Sequence, residues 1–180
     1  MKATGIVRRI DELGRVVIPK EIRKTLRIFE GDPLEIYTDK DNLILKKYSP
    51  VANIEGEAET FAQAIAEISD SVCFITDTDK VVGVSSNKYK EIIGVSITND
   101  FDKAMKEKKS ILLLKETASP LTVAKGYDFD FVGQIIVPVL SQGDLIGAVV
   151  LLRKAKDTPF MGTDVKFASL GASFLAKRFG

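Results

Sequence analysis

Lys20, Arg23, Lys24 and Arg27 stand at i, i+3, i+4 and i+7 in "PKEIRKTLRI", the spacing that puts four cations on one face of a helix. Arg8 and Arg9 precede them, and Arg15 follows Gly14 in "DELGR". Residues 1–28 hold eight Lys/Arg against three Asp/Glu, whereas residues 49–180 hold fifteen against seventeen, so a chain of net charge +1 carries its positive charge at one end. The chemistry open to such a group is anion recognition. Duplex DNA presents about one phosphate charge per 1.7 Å of axis, and a guanidinium fork fits either a phosphate or the O6/N7 edge of guanine. On spacing alone the stripe suits a solvated helix face equally well, and Asp11 and Glu12 are placed to pair with part of it.

Other chemistry is sparse. The chain has no histidine and one cysteine, which removes Ser-His and Cys-His nucleophile pairs and every His metal site. Cys73, in "SVCFITD", reads as a buried, inert thiol that forms no internal disulfide and fits a reducing compartment. Asp77 and Asp79 read as turn residues before metal ligands. "SSNKYKE" (85–91) reads as a polar connection, with a pocket wall as the alternative. No catalytic residue, metal or cofactor is expected, and any ligand-binding residue is unassigned. No stretch approaches the roughly 20 apolar residues of a membrane span. "MKATGIVRRIDE" reaches charge too early for a signal peptide, so a cytoplasmic location with no membrane partner is expected.

The elements that must position these residues follow from periodicity. "ATGIVRRI" and "GRVVI" read as strands. Pro19, which lacks a donor N–H, suits the start of a helix over about 19–26, with Ile22 and Leu26 on its buried side. "PLEIYTD" and "LILKKY" read as a hairpin about "KDN". "KKYSPVANIEGEAE" breaks the chain, giving domains at 1–50 and 57–180 with a linker at 51–56. The first domain is too small to bury much core alone, so two chains are expected to intertwine.

In the second domain, Phe61, Ile65 and Ile68 share a helical face, and "VCFITDTDKVVGVSS" is a hairpin. "ITNDFDKAMKEKK" is a helix capped by Thr98 with Phe101 and Met105 inward. "SILLL", "PLTVA", "FVGQIIVPVL" and "LIGAVVLLRK" read as strands. A closing helix capped by Thr163 turns Val165, Ala168, Leu175 and Phe179 inward. The fold class is α+β, an antiparallel sheet flanked by helices behind a β-rich N-terminal unit.

"TGIVRRIDELGRVVIPKEIRKTL" closely resembles the AbrB-type swapped-hairpin DNA-binding family, and the resemblance runs over residues 1–50. It implies an intertwined dimer that contacts double-stranded DNA through Arg8, Arg15 and Arg23, with Lys24 in the fourth position. Lysine there keeps the charge and loses the planar fork. Many relatives carry glycine at the position of Arg27, which sets Arg27 apart from the stripe, while Lys2, Arg9 and Lys20 add charge around the contact set. "VGQIIVPVLSQGDLIGAVVLLRK" and the closing helix resemble a GAF-like domain. The whole chain resembles sporulation regulators that join these two units. That resemblance implies a transcription regulator, activating or repressing, whose GAF-like helices pair dimers into a homotetramer and whose domain senses an unidentified small molecule or serves assembly. The alternative is an antitoxin of the same DNA-binding superfamily with a partner-binding C-terminal part. Such tails are usually short and disordered when free, whereas 57–180 has the apolar content of a folded domain.

Overall fold

Pro19, at φ −58°, leads the chain into helix α1 (Lys20–Leu26), where Glu21 in the first turn and Arg23 and Lys24 in the last complement the helix dipole. This computed structural model describes residues 5–48, 56–114, 118–154 and 159–179. Residues 51–55 of the expected linker lie outside them. The chain divides into two compact units after Tyr48.

Helix α1 stops because Arg27 turns left-handed at φ 53°. The Ile28 N–H then donates to the Arg23 carbonyl at 2.8 Å, and the Arg27 N–H to that of Lys24 at 3.4 Å. The αL conformation costs a non-glycine residue roughly 1–2 kcal/mol, the physical reason glycine suits this position. Strands β1 (Leu34–Asp39) and β2 (Asn42–Lys47) pair antiparallel around Lys40 and Asp41.

The strands expected at 3–10 and 14–18 do not form: the described residues from Gly5 to Pro19 hold a turn and no strand. A strand needs a neighbouring strand for its backbone N–H and C=O groups, and among the described residues no strand pairs with this segment. No residue from 5 to 48 is buried. Val7 is 84% exposed and Val17 72%, and Leu26, expected on the buried side of α1, is exposed as well, while Ile22 is half-buried.

The second unit has an ordinary core. Helix α2 (Glu57–Ser69) precedes the hairpin β3 (Val72–Thr76) and β4 (Val81–Val84). A 3-10 helix (Asn87–Ile92), helix α3 (Asn99–Lys106), β5 (Ile111–Leu114), β6 (Gly133–Ser141), β7 (Asp144–Arg153) and helix α4 (Gly162–Phe179) follow. The five strands form one antiparallel sheet in the order β4-β3-β7-β6-β5. Alternation of side chains sorts the core into two layers. Cys73, Ile75, Ile135, Val149 and Leu151 face Ile65 of α2 and Ala168, Ala172 and Leu175 of α4. Phe74, Ile136, Val150 and Leu152 face Tyr89, Phe101 and Met105 on the other side. Gly171 lets the two helices of the first layer meet, since a Cβ there would lie 2.5 Å from Ile65 Cδ1.

Thr98 caps α3, its Oγ1 accepting from the Phe101 N–H at 3.3 Å. Two other expectations fail. "PLTVA" is extended without being a strand. It joins its surroundings through a bridge from Ile97 to Ala124, through Thr98, whose N–H donates to the Val123 carbonyl at 2.9 Å, and through the buried Gln134 amide, which accepts from the Leu121 N–H (2.7 Å) and donates to the Leu121 carbonyl (3.0 Å). Thr163 lies inside α4, and its neighbour Asp164 accepts from the Met161 N–H at 2.6 Å. The Phe179 side chain lies outside the described residues.

Candidate nucleic-acid interface

Arg15 is set by a turn that Asp11 builds. The Gly14 N–H donates to the Asp11 carbonyl at 3.0 Å, and the Asp11 N–H to that of Arg15 at 3.1 Å. Asp11 Oδ1 accepts from the backbone N–H groups of Leu13 (3.0 Å) and Arg15 (2.8 Å), while Oδ2 accepts from Arg15 Nε at 2.7 Å. Such local Asx bonding is why Asp favours turns. The Arg15 backbone N–H and then its guanidinium hold the Asp11 carboxyl below its ordinary value of 3.8. A carboxyl with a lowered folded pKa favours the folded turn above its unfolded pKa, and that contribution is lost only as pH falls through the folded value. The turn is therefore fully charged and paired at neutral pH.

The other cations stand on either side of this turn. Arg8 and Arg9 are exposed on the extended segment, and Arg8 Nη1 donates to the Val7 carbonyl at 3.1 Å. Lys20, Arg23 and Lys24 are exposed on α1. Arg27 leaves the stripe because α1 ends one residue before it. It is half-buried, with Lys47 Nζ donating to its carbonyl at 3.2 Å and lying 3.4 Å from Asp32. Lys2 lies outside the described residues. Sequence reasoning left open whether Asp11 or Glu12 pairs with the basic residues; the bond from Asp11 to Arg15 settles the first case. Its signal was the "D-x-x-G" turn spacing ahead of Arg15.

No other chemical centre competes with this surface. Cys73 is a free, fully buried thiol, and burial pushes it above its usual range, away from the reactive thiolate. Asp77 accepts from the N–H groups of Asp79 and Lys80, both at 2.7 Å, as a turn residue does. Among the described residues no group of three or more His, Cys, Asp or Glu could hold a metal, and no helix is long and apolar enough to cross a membrane. The second unit has a cavity of about 420 Å³ walled by Phe74, Leu121, Tyr127, Phe129 and Phe131. A second, of about 530 Å³, lies between β6 and α4. "SSNKYKE" lines neither: Ser86 caps the 3-10 helix, and Tyr89 is buried in an aromatic cluster with Phe74 and Phe129.

Residues 53–180 match the family model described as stage V sporulation protein T C-terminal, transcription factor. Over 179 residues the chain is 42% identical to stage V sporulation protein T of Bacillus subtilis, covering 99% of this chain and 98% of that one. The chain belongs to the stage V sporulation protein T family. Family members are transcription factors rather than enzymes, and this chain is one. Residues 7–53 match the model described as antidote-toxin recognition MazE, bacterial antitoxin. Its N-terminal part is 68% identical over 50 residues to the transition state regulatory protein AbrB of B. subtilis, which is 28% of this chain and 52% of that one. This is an AbrB-type DNA-binding domain. The antitoxin alternative yields to the nearly full-length likeness to a sporulation transcription factor. The second unit has a GAF-like fold. The GAF domain of an Acinetobacter phosphoenolpyruvate-protein phosphotransferase superposes with a TM-score of 0.57 at 14% identity, over 73% of this chain and 82% of that one.

Proposed function

We propose that residues 1–50 of two chains intertwine into one DNA-binding dimer that contacts duplex DNA through Arg8, Arg15, Arg23 and Lys24. Arg9 and Lys20 flank this set, and Lys2 is assigned with them from its place in the sequence. Residues 51–56 connect this dimer to the GAF-like domain at 57–180. The observation that carries the reading is the combination found in residues 5–48: no side chain is buried, and all six of the described cations just named are exposed. Such a unit has an apolar side that needs a second copy and a cationic side left for a polyanion. A transcription factor acting on DNA in the cytoplasm fits the absence, among the described helices, of any able to span a membrane.

The test is the salt dependence of DNA binding. With four phosphate-binding cations per chain and two chains per dimer, log affinity should fall against log salt with a slope of about −7. A slope near zero overturns the reading.

The GAF-like unit joins two such dimers into a tetramer through α2 and α4. Leu170 is 69% exposed and Ile68 65%, and the exposed Phe174 stacks on Phe61 at 5.0 Å. Contiguous apolar surface of this kind favours burial against another copy. Leu170→Glu with Phe174→Glu should convert a tetramer into a dimer in sedimentation velocity while leaving the fold intact; an unchanged mass removes this face from the assembly. The cavity walled by Phe74 and Phe129 is the place assigned to a small-molecule effector.

A further inference from the structure

We propose that Asp11 is a positioning residue for DNA recognition: its carboxylate takes the Nε–H of Arg15 and leaves both Nη groups of the fork for a phosphate or a guanine edge. The proposal rests on the assignment of Arg15 to the DNA contact set.

The geometry separates the two jobs of the Asp11 side chain. Oδ1 holds the turn through the N–H groups of Leu13 and Arg15, and Oδ2 holds the guanidinium at 2.7 Å. Among the described residues the guanidinium makes that one bond, and the Arg15 side chain is 71% exposed, so its Nη edge faces solvent. A free arginine side chain on a turn samples many rotamers, and ordering it at the moment of binding costs affinity. A carboxylate on Nε removes most of that freedom beforehand. The lowered pKa of Asp11 agrees with this, since the group is then ionised at neutral pH.

Bare electrostatics at Asp11 has the opposite sign. As a bare negative charge beside a DNA-binding surface, Asp11 repels phosphate, and removing it should tighten binding. As a positioning residue, removing it should weaken binding. Asp11→Asn separates the two cleanly. Asparagine keeps an oxygen for the Leu13 and Arg15 backbone N–H groups, but its amide nitrogen cannot accept from Arg15 Nε.

The experiment measures affinity for a duplex selected from a random pool, for the full-length native chain, Asp11→Asn, Arg15→Ala and the double variant. Asp11→Asn should weaken binding about tenfold despite raising the net charge, and the double variant should be no weaker than Arg15→Ala alone. Binding as tight as native, or tighter, by Asp11→Asn overturns the proposal. If Arg15→Ala itself binds like the native chain, the assignment of Arg15 fails instead, and the two failures are thereby distinguished. Should Asp11→Asn lose folding, the native protein decides through the Arg15 Nε–H resonance. Slow solvent exchange at that proton supports the bond to Asp11, and fast exchange overturns it.

Discussion

Arg15→Ala lowers the affinity for a selected DNA duplex by about a hundredfold or more, while the dimer persists and stability falls only by the small worth of the exposed bond to Asp11. The size follows from three features. Bidentate guanidinium contacts carry about 1–3 kcal/mol each. A dimer loses two of them at once. The side chain lies outside any packed region, and a substitution away from such regions typically changes stability by no more than about 0.5 kcal/mol. Anisotropy titrations and a thermal melt on the same samples check both halves. Arg15→Lys divides the loss further: lysine restores much of the affinity if Arg15 meets only phosphate, and little if its fork reads a base edge. Native-like binding by Arg15→Ala would leave the recognition surface to Arg8 and the cations of α1.

The second unit was more legible in the sequence than the first, for a physical reason. Its strands pair within one chain, so the continuous apolar runs "VCFIT", "GQIIVPVLS" and "DLIGAVVLLR" place successive side chains in two core layers. The turn "SQGD" is likewise local, with Gln142 at φ 49° and Gly143 at 91° between Ser141 and Asp144. "PLTVA" is not a strand because the buried Gln134 amide meets both backbone groups of Leu121 and Thr98 meets the carbonyls of Thr122 and Val123, in place of a neighbouring strand. In the first unit, "GIVRRI" and "GRVVI" have strand composition, but no strand among the described residues pairs with them, so periodicity identifies a tendency that is not realised here. Arg27 failed the helical stripe because periodicity says nothing of where a helix stops; the left-handed turn at that residue decides it. Asp11 was visible as an acidic residue near the stripe. Its division of labour between turn and guanidinium depends on two oxygens pointing different ways, which residue type alone does not specify.

The largest stability effect is expected at Arg153, one of the few buried charges of the second unit at 5% exposure. Its Nη2 donates to the Ser69 carbonyl at 2.7 Å, at the end of α2, and to Asp164 Oδ1 at 3.0 Å, at the start of α4. Nε donates to Ser71 Oγ at 3.1 Å, Nη1 to the Pro159 carbonyl at 3.2 Å, and the guanidinium lies 4.6 Å over the Phe160 ring. One side chain thus meets the negative end of one helix dipole, while its carboxylate partner meets the positive end of another. Arg153→Ala leaves Asp164 buried without its cation and the Ser69 carbonyl without this donor. The expected cost is about 3–5 kcal/mol, a large part of the roughly 5–15 kcal/mol of a whole domain. Denaturant unfolding of the full chain measures it. Arg153→Met combined with Asp164→Leu should recover most of the loss, because a matched apolar pair leaves no buried charge unmet. The double variant then separates two roles. If the ion pair only contributes stability, the recovered protein keeps its assembly. If it also sets where α2 and α4 lie, the face carrying Ile68, Leu170 and Phe174 shifts, and the proposed tetramer weakens although the fold is restored. A variant Arg153→Ala as stable as the native chain would show that α2 and α4 are held by their apolar contacts alone.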